Sequence, residues 1–96
     1  VMVRVIARHV AIARVSDPVR FCSWAREVAT VAGAEGRAAP VGEGAEVSFE
    51  GPGPAVEAAI DWCASITEMS IDQLDITSQR PVLQGGFAVL ETPPDA

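Results

Sequence analysis

The side chains with the most chemistry to offer cluster between residues 9 and 22: His9, Arg14, Ser16, Asp17, Arg20 and Cys22. They fall on or beside the stretch Ala13-Arg-Val-Ser-Asp-Pro-Val-Arg-Phe-Cys-Ser-Trp24, which runs from a strand-like segment into a helix-like one. Turns of this kind often hold anions, because the first amides of a helix have no partner inside it and can point at a negative charge. Arg14, Ser16, Asp17, Val19, Arg20 and Phe21 are therefore the candidate ligand-binding residues, with Arg20 as the cation that would swing into the ligand space. Its ordinary role would be that of a solvated first-turn arginine, although a cation at a helix N-terminus is electrostatically unfavourable. Cys22 is a candidate nucleophile, since a helix start lowers a thiol's pKa. Only one histidine, His9, exists to serve as its base, and a packed structural thiol is the simpler reading.

The turn itself argues against an anion. Asp17 followed by Pro18 is a helix start, with the carboxylate accepting from first-turn amides and the proline where its missing N–H costs nothing. Proline removes a donor, the stretch has no glycine to supply a left-handed path, and Asp17 brings negative charge to the place an anion would occupy.

Strands and helices can be assigned on both sides of this stretch. Residues 3–12 form a first strand in which Val3, Val5 and Ala7 share one face and Ile6, Val10 and Ile12 the other, which predicts a bulge near Arg8 and His9. His9 at such a bulge would be re-aimed toward a site, or else be a plain edge-packed side chain. Arg4 and Arg8 share a strand face and could meet an acidic ligand, or simply face solvent. A helix from Asp17 stops at Gly33 and carries Phe21, Trp24, Ala25, Val28, Val31 and Ala32 as its apolar stripe. Residues 34–41 make at best a weak or edge strand. Gly42-Glu-Gly44 turns the chain into a strand over Ala45–Glu50, forming a hairpin. Gly51-Pro-Gly-Pro54 opens a second helix with Val56, Ala59, Ile60 and Cys63 on one face. Ile71, Leu74 and Ile76 mark a further strand, and Phe87–Leu90 a last short one before a frayed tail at 92–96. The order predicts an α+β, ferredoxin-like (split βαβ, βαββαβ) sandwich, with two helices on one face of an antiparallel sheet.

Composition bounds the function. Ninety-six residues make one domain, placed at 1–91, with 49% hydrophobic residues and no apolar run long enough for a membrane span. The net charge of −6 disfavours nucleic acid as a partner. All seven cations are arginine, and lysine, asparagine and tyrosine are missing, a bias that a GC-rich genome produces without functional cause. Two cysteines are too few for a disulfide framework, so a cytoplasmic location is expected. Cys22 and Cys63 should lie roughly 10 to 15 Å apart at opposite ends of their helices, beyond the reach of about 7 Å between Cα atoms, and stay free. One histidine and two separated cysteines give no metal site, and no cofactor is expected. Trp24 and Trp62 read as helix-packing aromatics, or as the wall of a cavity for a planar apolar ligand.

Five blocks, taken in order, resemble those of the acylphosphatases: Arg14-Val15; Phe21 and Trp24; Glu46-Val-Ser-Phe-Glu-Gly51 leading into Pro54-Ala-Val-Glu-Ala-Ala-Ile-Asp-Trp62; Ile71-Asp-Gln-Leu-Asp-Ile-Thr77; and Gly86-Phe87. The resemblance covers roughly residues 3 to 91 and implies the acylphosphatase fold. In that family a glycine-rich loop, G-R-V-Q-G-V-G-F-R-x-W, cradles the phosphate of a carboxyl-phosphate anhydride with its amides and closing arginine, and an asparagine orients the attacking water. Here Ser16 and Asp17 replace the glutamine and glycine, Pro18 and Val19 the valine and glycine, and Cys22 occupies the arginine slot. Arg20 lies on the other side of Phe21. The asparagine region corresponds to Arg37-Ala-Ala-Pro40, and the chain contains no asparagine. These departures lead to the expectation of a diverged acylphosphatase-like protein, a pseudoenzyme that binds a small molecule or a protein partner as a monomer or weak dimer. One alternative is an active hydrolase in which Arg20 serves the anion. Another is a repurposed tailoring or cyclising enzyme, its uncharged substrate near His9, Arg14 or Arg20.

Overall fold

The computed structural model describes residues 5–65, 71–81 and 86–90. The expectations for Arg4 and for the tail at 92–96 lie outside these residues. The element order is β1 (Val5–Val15), α1 (Pro18–Ala32), β2 (Glu35–Val41), β3 (Gly44–Pro52), α2 (Gly53–Ser65), β4 (Ile71–Gln79) and β5 (Phe87–Val89).

Local rules account for the α1 boundaries. Asp17 is the N-cap and accepts from the Arg20 amide, Pro18 opens the helix, and Gly33 closes it at φ 91° with its amide bonded to the Ala29 carbonyl. The buried face is Phe21, Cys22, Ala25 and Ala29. Val31, expected in the stripe, is 89% exposed. At about 100° per residue it projects well over a right angle from the direction shared by Phe21, Ala25 and Ala29.

The sheet runs β4-β1-β3-β2-β5, with β1 antiparallel to both β3 and β4, β2 antiparallel to β3, and β5 parallel to β2. Four strands thus give the antiparallel ferredoxin-like sheet that the sequence predicts, and β5 makes it mixed. The strand over 35–41 is not an edge, because Gly36, Arg37 and Ala38 pair with β5. Pro40 lies past those three residues, where β2 has a neighbour on the β3 side alone, a place that tolerates a missing donor.

No bulge interrupts β1. Its register with β3 is unbroken from Val5 opposite Pro52 to Ile12 opposite Ala45, and its pairing with β4 keeps one register from Ala7 to Val15. The mixed parity has a different cause. β1 is an inner strand, and both of its faces bury apolar atoms: Val10 and Ile12 pack into the core, while Ala7, on the other parity, is 1% exposed. Ala7 sits between Glu50 of β3 and Gln79 of β4, so a small side chain is covered there without an inserted residue.

Both helices cover one face. α1 lies over β2, β3 and β5, and α2 over β1 and β3. Between them and the sheet are Val10, Phe21, Cys22, Val47, Phe49, Val56 and Cys63, all essentially without solvent exposure. Burying a side chain of the Val or Phe kind stabilises by about 1.5–3 kcal/mol, so this layer is the main source of stability. Both cysteines are free thiols within it.

Candidate functional site: the turn between β1 and α1

The turn is fixed from two sides, by the β2–β3 hairpin and by the first turn of α1. The Val15 amide donates to the Glu43 carbonyl at 2.9 Å, which ties the end of β1 to the β2–β3 hairpin. Arg14 Nε stands 3.5 Å from Glu43 Oε2, with both side chains largely exposed, so this ion pair adds little energy. The Phe21 amide donates to the Asp17 carbonyl at 2.9 Å, and the Arg20 amide to Asp17 Oδ1 at 3.1 Å.

Little donor capacity is left for an anion. Of the first three helical positions, Pro18 has no N–H and the amide of Arg20 is taken, so Val19 alone keeps one to offer. None of residues 13–20 has a positive φ. Successive amides that converge on an anion need a left-handed residue in the run, and this turn has none.

The candidate side chains disperse. Ser16, Asp17 and Val19 stay exposed at the turn, with Val19 at 64%. The Arg20 guanidinium carbon sits 4.7 Å from the centre of the Trp24 ring, a cation–π contact one helical turn on. Phe21 points into the core and stacks on Trp62 at 5.8 Å between ring centres. Cys22 is fully buried, and burial pushes its thiol up to about 11. A nucleophile needs the opposite shift. Trp24 meets Trp62 edge-on at 6.3 Å, so the two tryptophans join α1 to α2 beside a shallow surface hollow that Glu27 and Val28 also line.

His9 is elsewhere. It lies six residues before the end of β1, about 20 Å back along the strand, on the face turned away from the helices. Its Nδ1 is 3.4 Å from Ser48 Oγ and its Nε2 3.5 Å from Glu46 Oε1. Two groups of residues escaped the sequence reading. Glu43 holds the turn, and its signal was the Gly42-Glu-Gly44 hairpin that must sit beside the end of β1. Arg37, Glu46 and Ser48 surround His9, and their signal was the alternation of Glu46, Ser48 and Glu50 with Ala45, Val47 and Phe49. Among the described residues no group of three His, Cys, Asp or Glu side chains is placed to hold a metal ion, and no helix is long and apolar enough to cross a membrane.

Two helices over one face of a β4-β1-β3-β2 sheet, with a short parallel fifth strand, define an α+β protein with the ferredoxin-like fold of acylphosphatases. Solved structures bear this out. Full-length HypF in its phosphate- and nucleotide-bound form matches with a TM-score of 0.86 at 17% identity, over 96% of this chain and 12% of that one. An acylphosphatase from Coxiella burnetii matches with a TM-score of 0.80 at 15% identity, over 90% of this chain and 93% of that one. An acylphosphatase from Bacillus subtilis matches with a TM-score of 0.73 at 17% identity, over 91% and 99%. The chain thus spans nearly all of the two acylphosphatases but a small part of HypF. No protein-family model and no curated protein matches the sequence. At these identities the likeness is one of fold.

Proposed function

We propose that this chain is a diverged acylphosphatase-like domain that does not hydrolyse acyl phosphates and acts by binding, either of a small molecule or of a protein partner. The observation that carries this reading is Asp17. Its carboxylate accepts the Arg20 amide at 3.1 Å and so stands where the resemblance would put the phosphate. Three further features support it: Pro18 without a donor, Cys22 in place of the closing arginine, and a chain without asparagine to orient water. Loss of one donor to a developing anion costs about 10²–10³ in rate, and here several are lost together. The competing reading, an active hydrolase served by Arg20, requires that guanidinium to leave the Trp24 ring and move toward the turn. The two buried, unpaired thiols suit a reducing cytoplasm, and the reading takes the chain to be a monomer or weak dimer.

Benzoyl phosphate is the discriminating substrate. The purified chain should leave its hydrolysis at the uncatalysed rate, with Arg20→Ala no different. Turnover at an ordinary enzymatic rate that Arg20→Ala abolishes would overturn the proposal.

A further inference from the structure

The face of the sheet away from the helices carries a cavity of about 350 Å³, lined by His9, Arg37, Ala39, Glu46, Ser48 and Leu90 together with Gln79. Its polar residues come from neighbouring strands in one layer. Ser48 of β3 is directly opposite His9 of β1 on one side and Arg37 of β2 on the other, and Glu46 lies two residues along β3. Residues facing each other across a sheet have Cβ atoms about 4.5–5.5 Å apart, so Arg37 and Ser48 can address adjacent atoms of one small molecule.

We infer that this cavity binds a small α-amino acid, an inference that rests on the reading of the chain as a binding domain and names its ligand class. Arg37 supplies the carboxylate partner. Its guanidinium has no ion pair or hydrogen bond among the described residues, and it offers a fork of donors that fits a carboxylate. His9 stands between Glu46 and Ser48. With Nε2–H donating to Glu46, Nδ1 accepts the Ser48 hydroxyl proton, which leaves the Ser48 oxygen lone pairs to accept from a ligand donor. A group that offers a carboxylate to Arg37 and a donor to Ser48 carries both on adjacent atoms, as an α-substituted acid does. The charge of that donor follows from Glu46, which lines the cavity two residues from Ser48 on the same strand. Beside one guanidinium and one carboxylate an ammonium is favoured over a hydroxyl, and a ligand without net charge over an anion. Ala39 and Leu90 supply an apolar wall for a short aliphatic side chain.

The test uses the full ¹⁵N-labelled chain titrated in parallel with L-alanine, L-lactate and propionate, followed by backbone amide shifts. L-Alanine should saturate shifts at Arg37, Glu46, Ser48 and Leu90, with lactate weaker and propionate weakest. Arg37→Met should weaken alanine by about tenfold or more, the worth of a hydrogen bond to a charged group. Ser48→Ala should reduce the preference of alanine over propionate and Glu46→Gln should reduce it further, with thermal unfolding confirming that the variants stay folded. Propionate binding as tightly as alanine, an unchanged Arg37→Met, shifts centred away from this face, or no saturation at all would each overturn the inference. The benzoyl phosphate assay is independent: intact substrate with no alanine binding sinks the amino-acid site alone, and turnover with alanine shifts sinks the reading of the turn alone.

Discussion

Removing the Asp17 carboxylate separates a helix cap from an anion cradle. Asp17→Ala deletes one hydrogen bond, from the Arg20 amide to Oδ1 at 3.1 Å, and leaves the main-chain bond from Phe21 in place. Loss of an N-cap side chain costs about 1 kcal/mol, within a range of 0.5–2. Loss of a negative charge at the positive end of α1 adds about 0.3–1 kcal/mol at low ionic strength. A total near 1.5–2 kcal/mol corresponds to a fall in Tm of roughly 6–15 °C for a domain of this size. Asp17→Asn keeps an acceptor and removes the charge, so it should lose only the smaller part. The assay is thermal unfolding by circular dichroism, with and without inorganic phosphate. If Asp17 is the cap, phosphate stabilises neither the parent chain nor Asp17→Asn. An unchanged Tm for Asp17→Ala, or a phosphate-induced rise in the parent chain, would show that Asp17 is not the cap.

Cys22 and Cys63 have their thiols pushed by burial from 9.0 to about 11 and about 12. The unfolded chain therefore loses these protons first as pH rises past 9, and stability should decline from there until the native thiols ionise, a slope that urea titrations between pH 8 and 10.5 would measure. Gly36 has φ +143°, and a Cβ there would stand 1.8 Å from the Ser48 carbonyl oxygen. Gly36→Ala should yield no cooperative unfolding transition by calorimetry, since the obstacle is backbone and cannot turn aside.

What could be read from the sequence was what neighbours in the chain decide. The start and end of α1 follow from Asp17-Pro18 and Gly33, and the β2–β3 hairpin follows from Gly42-Glu-Gly44. Strand order and register are not local. Nothing near residue 36 tells that β5, fifty residues later, pairs with Gly36–Ala38, so β2 passed for an edge. The same limit produced the expected bulge at Arg8 and His9: nothing local tells that β1 lies between β3 and β4, whose Glu50 and Gln79 stand on either side of Ala7. The dispersal of the site has a similar origin. Phe21 and Cys22 sit beside Arg20 in sequence, but successive helical residues point about 100° apart, which sends two of them into the core and the third onto Trp24. The partners of His9 became visible only with the register, which brings Ser48 across 39 residues.

Successive residues of β3 divide between the two sides of the sheet. Val47 and Phe49 serve the interior, while Glu46, Ser48 and Glu50 serve the far side, and the period of two keeps the two sets from interfering. Substitutions at the half-buried Glu46 and Ser48 can therefore change the chemistry of the far side while the hydrophobic layer of Val47 and Phe49 stays as it was.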